Sequence, residues 1–474
     1  MTNPSTHAAA SAEVTAIDTT ARGPLLYLIG SGIAWLVLSG VLALIASIQL
    51  HTPQFLADCS WLTHGRTVAL RETAFVYGWA ANAGLAIALW VLARLGGEPL
   101  RGGNWLLLGG VFWNIGVAVG LIGIAIGDMT SFSLLQLPRY VQPLMFFAYA
   151  AMAVTGVLAW TGRRNERLFA AQWYAIAALF LFPWLFSAAQ AVLLFAPVRG
   201  TVQAIAAGWY AQSAWTLWLA PLALAGAYYV VPKVSGRALP AYDFASLGFW
   251  TLILVGGWSG GRHLIGGPVP AWVSTMAVAA TSLLLGHYMI VLLNLRGALG
   301  AGGTAIKFIV FGLGAYILGG LLDAITAFQG IAVTTQFTLV AQAQQDLALY
   351  GAVSMMLFGA VYFAVPRLAG RAWSSAGLVS GHRVLVTLGV VLLIGALLVG
   401  GWKQGADLLN AEKSLADILA GLKPTLLAAT AAQAVLLSAN LLLLVNFFRT
   451  ACVFNRAPSE VAFRQPSTME ATAL

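Results

Sequence analysis

The stretch FWTLILVGGWSGGRHLIGGPVPAW, residues 249–272, is apolar up to an arginine and a histidine, then turns through Gly and Pro into another apolar run. A cation at the end of such a run is costly to bury, so Arg262 and His263 are functional candidates by position alone. The flanking runs repeat along the chain. Of 474 residues, 60% are hydrophobic and 8% charged, where a soluble protein carries about 25% charge. Runs of 18 or more apolar residues read as membrane helices. Twelve are expected, at 25–48, 68–95, 104–126, 140–162, 170–197, 206–232, 243–262, 272–294, 306–329, 347–366, 383–402 and 425–447. The expected fold is therefore an all-α integral membrane protein with its membrane domain over 22–450. Polar tails, expected to be disordered and cytoplasmic, occupy 1–21 and 451–474.

Charge orients the spans. Sixteen of the 24 Lys and Arg fall in one set of loops, with both termini. The positive-inside rule places that side, and so both termini, in the cytoplasm. The net charge of +9 then reports topology rather than nucleic-acid binding. Cys59 and Cys452 fall on opposite faces and cannot pair, and no CxxCH heme-attachment motif occurs.

Charged and amide side chains inside the spans are few: Arg71, Glu72, Arg262, His263, Asp323 and Asp346, with neighbours such as Asn82, Asn114, Gln190, Gln212, Gln342, Gln344 and Gln345. They read as helix-to-helix ion pairs, as a proton or ion path, or as a cofactor site. Of six histidines, only His263 and His287 are expected near hydrophobic depth, too far apart to share a metal. A lone His263 reads first as a hydrogen-bonded packing residue. Arg262 is expected to pair with Glu72 or a backbone carbonyl.

Six segments carry a resemblance. GRTVALRETAFVYGWAANA (65–83), AAQWYAIAALFLFPW (170–184), WYAQSAWTLWLAPLALAGAYYVVPK (209–233), 249–272 itself, YGAVSMMLFGAVYFAVP (350–366) and LVSGHRVLVTLG (378–389) resemble, in order, the catalytic subunit I of cbb-type cytochrome c oxidases. These are C-family heme-copper oxidases, and the resemblance runs from about residue 24 to about 450. It implies a heme-copper oxidase subunit I-like fold in a bacterial cytoplasmic membrane. It also implies a family cofactor set of two hemes b and one copper, held by six histidines.

Residue by residue, that set is not met. The family's GRxxxLH matches 65–71 with Arg71 at the heme-ligand position. Its WYxH has Gln212 at a copper position, and its HH copper pair is Arg262–His263. Its cross-linked tyrosine falls on Gly256, and its HxH, which holds both hemes, on Gln344 and Asp346. Arginine has no lone pair to offer a metal. The expectation is a cofactor-free pseudoenzyme with no catalytic or metal-binding residue, in which Arg71 and Asp346 pair, directly or through a water, across a vacated heme position. It would act as a scaffold or accessory subunit of a respiratory complex, with membrane lipid and a membrane-anchored c-type cytochrome as partners and no nucleic acid. Two alternatives stay open: an active terminal oxidase or nitric oxide reductase subunit fed by cytochrome c, and a proton or small-solute transporter.

Overall fold

The computed structural model describes residues 4–451, with side chains from residue 14. Thirteen helices follow one another: α1 (Pro4–His51), α2 (His64–Gly96), α3 (Gly103–Ile126), α4 (Gln142–Thr161), α5 (Ala170–Phe195), α6 (Thr201–Ser235), α7 (Ala245–Val255), α8 (Ala271–Leu295), α9 (Thr304–Thr326), α10 (Gln329–Thr335), α11 (Leu339–Ala369), α12 (Ala376–Leu408) and α13 (Leu415–Ala451). Eleven are long and apolar enough to cross a membrane.

The seventh of the twelve expected spans differs from the rest. It is an α-helix only over Ala245–Val255 and continues as a 3₁₀ helix over Gly256–Leu264. The cause is local: Gly256, Gly257, Gly260 and Gly261 weaken the α-helix. They also let two backbones touch, since a Cβ on Gly260 would meet the carbonyl of Gly208 in α6. This contact fixes where Arg262 and His263 stand.

Three helices are interior. The apolar windows of α2 and α6 are wholly buried and that of α11 is 89% buried, against 39–50% for the others. These three touch one another pairwise. Small residues allow it: a Cβ on Gly84 (α2) would lie 2.8 Å from Leu222 (α6), and one on Gly226 (α6) 2.9 Å from Ala360 (α11). In lipid, close approach of this kind replaces the hydrophobic drive that water supplies elsewhere. Around the trio, α1 packs on α2 and α13, α13 on α12, α3 on α4, and α9 on α11. Each interior helix also carries a π-helical segment: Ala74–Ala80, Ala214–Leu219 and Leu347–Ser354. Such widened turns are rare and concentrate at functional sites.

The N-terminal expectation is corrected in part. Residues 14–21, read as part of a disordered tail, continue α1, with Ile17 and Ala21 buried. Asp18 fastens this extension by accepting from Trp90 Nε1 (2.9 Å) and from Arg94 (3.3 Å) on α2. The C-terminal tail expected over 451–474 lies, beyond Ala451, outside the described residues.

Candidate functional site

Arg71 and Glu72 stand about two turns into α2, directly before its π segment. Arg71 Nη2 lies 3.1 Å from Asp346 Oδ1, and both side chains are 12% exposed. Asp346 ends the α-helical first turns of α11, again just before a π segment. Its second oxygen accepts from Gln342 (3.2 Å). Four residues on from each charge, Phe75 and Tyr350 meet with ring centroids 5.5 Å apart, and Tyr350 donates to Asn440 of α13 (2.6 Å). An ion pair and an aromatic contact thus close α2 against α11.

A cavity of about 40 Å³ remains beside the pair, lined by Ser39, Glu72, Asp346 and Gln433 among others. That is room for a few waters.

The second pair is Arg262–Asp323. Arg262 Nη1 lies 2.5 Å from Asp323 Oδ1, joining the 3₁₀ segment to α9. This replaces the expected partners of Arg262. Glu72 instead accepts from Gln136 (2.5 Å) and Gln345 (3.1 Å). Asp323 also accepts from Gln344 (3.0 Å), whose amide donates to Thr326 as well (2.9 Å). So three carboxylates each hold a glutamine amide from one short run, QAQQD at 342–346. Grouping polar side chains this way leaves few buried charges unsatisfied.

Between these elements lies a chamber of about 610 Å³, lined by Gln212, Arg262, His263, Asp323, Gln344 and Gln345 among others. Leu134 (φ 58°) and Phe337 (φ 60°), both on its wall, hold the left-handed backbone that non-glycine residues avoid. Strain of this kind persists where surrounding structure enforces it and gathers at ligand sites. His263 is an exposed residue whose carbonyl accepts from Gln336 (2.6 Å), and among the described residues its ring makes no hydrogen bond. The reading of a packed, hydrogen-bonded imidazole does not hold for it. Gly256 packs its backbone against Thr216 of α6, where a Cβ would lie 3.1 Å from the threonine.

The other histidines are committed elsewhere. His287 uses both ring nitrogens, toward Gly248 O (2.7 Å) and Tyr316 Oη (2.9 Å). His382, near the start of α12, is fully buried against Phe308 and Phe358, with Nδ1 2.8 Å from Tyr362 Oη. Among the described residues no three His, Cys, Asp or Glu side chains group as a metal site.

The comparisons with known proteins follow this geometry. Residues 24–450 match the family described as Cytochrome C and Quinol oxidase polypeptide I, and the chain belongs to that family, subunit I of the heme-copper oxidases. It is 26% identical over 394 residues to cytochrome c oxidase subunit 1 of Rhodobacter capsulatus, covering 78% of this chain and 73% of that protein. It is 24% identical over 386 residues to the cbb3-type cytochrome c oxidase subunit CcoN1 of Stutzerimonas stutzeri, covering 79% of this chain and 81% of that protein. The fold is similar to a chain of a solved heme-copper terminal oxidase dimer, with TM-score 0.71 at 13% identity over 93% of this chain and 88% of that one.

The resemblance to cbb-type subunit I implies heme and copper, and the residues at the positions it assigns can be tested against them. A bis-imidazole heme between α2 and α11 needs two ring nitrogens facing each other. This structure has a guanidinium and a carboxylate in contact there, over a cavity of about 40 Å³. A three-imidazole copper site needs two partners for His263, and its chamber neighbours are Gln212 and Arg262. Amide and guanidinium groups are poor or incapable ligands for either metal. The donor set does not fit the family's cofactors.

Proposed function

We propose that this chain is a cofactor-free member of the cbb-type branch, serving as a scaffold or accessory subunit of a respiratory electron-transfer complex. The observation that carries this reading is the Arg71–Asp346 contact at 3.1 Å, at positions that the resemblance assigns to the heme ligands. A charged pair so placed makes the packing of α2 on α11 independent of a metal. On this reading the protein sits in a bacterial cytoplasmic membrane with both termini inside. Its partner is a membrane-anchored c-type cytochrome, held by the face that catalytic relatives use. The test is affinity purification of the tagged chain from native membranes with heme-stained gels. A c-type cytochrome in stoichiometric amount is expected. A chain recovered without any respiratory subunit contradicts the scaffold role.

A second reading, a proton or small-solute carrier, draws on the chamber and on the amide network reaching Glu72 through Gln345. Reconstitution into vesicles with a pH-sensitive dye tests it. Proton flux lost in Glu72→Gln favours this carrier. The remaining alternative, a catalytic oxidase or nitric oxide reductase, requires imidazoles at positions held here by Arg71, Gln212, Arg262, Gln344 and Asp346.

A further inference from the structure

Away from the interior helices, α4, α5 and α7 part to leave a groove of about 400 Å³. Its wall is apolar and aromatic apart from Ser246, with Trp160, Trp173, Phe180, Phe249 and Trp250 on it. Phe180 and Trp250 are exposed, so the groove opens outward, toward lipid in a membrane protein. One end is cationic. Arg163, in the loop after α4, lies 4.4 Å over the Trp160 ring and donates to its carbonyl (2.7 Å). Its Nε is buried without a partner. Arg167, in the same loop, is exposed and rests 5.9 Å over Phe169. Among the described residues its guanidinium makes no ion pair or hydrogen bond. It acts electrostatically on Tyr242, which stacks on Trp173 in the groove wall at 6.4 Å. Lys233 and Arg237 stand at the same end of the bundle, against Glu166 and Asp243, so the end is net positive.

We propose that this groove is a site for one anionic glycerophospholipid, with an acyl chain on the tryptophan wall and the headgroup phosphates between Arg163 and Arg167. The pieces suit one another. An apolar trough takes a hydrocarbon chain, indole rings favour the interfacial depth, and basic clusters beside membrane helices select anionic headgroups. The exposed guanidinium of Arg167 supplies donors that phosphate oxygens accept from, and the Arg163 cation beside Trp160 adds positive charge at the same end of the groove.

The full chain, purified in detergent, is mixed with equimolar phosphatidylglycerol and phosphatidylethanolamine of equal chain length and examined by native mass spectrometry. Wild type should retain phosphatidylglycerol in preference. In Arg163→Gln and Arg167→Gln the preference should fall roughly fivefold for each arginine removed. The control Arg383→Gln, on α12, should keep it. Ala177→Phe fills the groove without changing charge and should lower retention of both lipids. Undiminished headgroup preference in the double variant, or full retention in Ala177→Phe, overturns the site.

Discussion

Arg71 and Asp346 are 275 residues apart in the chain and 3.1 Å apart in space, and they join α2 and α11, two of the three interior helices. One helical turn further along each helix, Phe75 and Tyr350 close the same gap. Breaking a buried pair by removing one partner strands the other, at about 3–5 kcal/mol. Arg71→Leu and Asp346→Leu should therefore each lower stability by that order in denaturant titrations of the detergent-purified chain. The double variant should cost clearly less than the two added. Simple additivity would mean that the pair contributes nothing through their contact.

The positions that the resemblance assigns to copper offer a gain-of-function test. Gln212 and Arg262 share the chamber wall with His263. Gln212→His with Arg262→His supplies two further imidazoles, neutral ligands suited to copper. The double variant should take up copper near one per chain, and the single variants much less. Removing Arg262 leaves Asp323 with the Gln344 amide, so some loss of stability should accompany the gain.

Backbone contact at α12 gives a steric prediction. A Cβ on Gly405 would collide with the Thr334 carbonyl of α10, whereas one on Gly395 meets nothing within 4 Å. Gly405→Ala should lower the thermal midpoint, through a destabilisation of about 1–3 kcal/mol or more from overpacking. Gly395→Ala should leave the midpoint unchanged or raise it, through up to about 1 kcal/mol of helix propensity.

The N-terminal extension is fastened by one carboxylate. Asp18→Ala removes the acceptor of Trp90 and of Arg94. A loss of about 1–3 kcal/mol is expected. Proteolysis near the start of α1 should become faster in this variant. No change in either would mean that the extension packs by its apolar face alone, through Ile17 and Ala21.

Much of the fold was readable because the hydropathy of a membrane helix is a long-range signal within one segment. It missed detail where backbone, not side chains, decides. Residues 243–262 are apolar enough to read as a span, but four glycines turn their second half into a 3₁₀ helix. The polar start of α1 looked like a tail because its stripe of Ile17, Ala21 and Leu25 is narrow and its fastening partners lie on α2. At the candidate site, the residue types flagged every buried charge. Which acid meets Arg262 was not legible, since Asp323 is on another helix and no local spacing encodes that approach. The glutamine run at 342–346 was visible as polar residues in an apolar region. That its amides would serve three different carboxylates depends on the packing of α11 against α2 and α9. The π segments left no mark in residue types.

The proposal that ion pairs stand at the positions the resemblance assigns to heme and copper ligands is tested most directly on the purified chain. A reduced-minus-oxidised absorption spectrum should be recorded, with iron and copper assayed on the same sample. The account predicts no heme b signal and no stoichiometric metal in a folded protein. A heme b signal near one per chain would contradict it, and would require a ligand arrangement other than the Arg71–Asp346 contact described here.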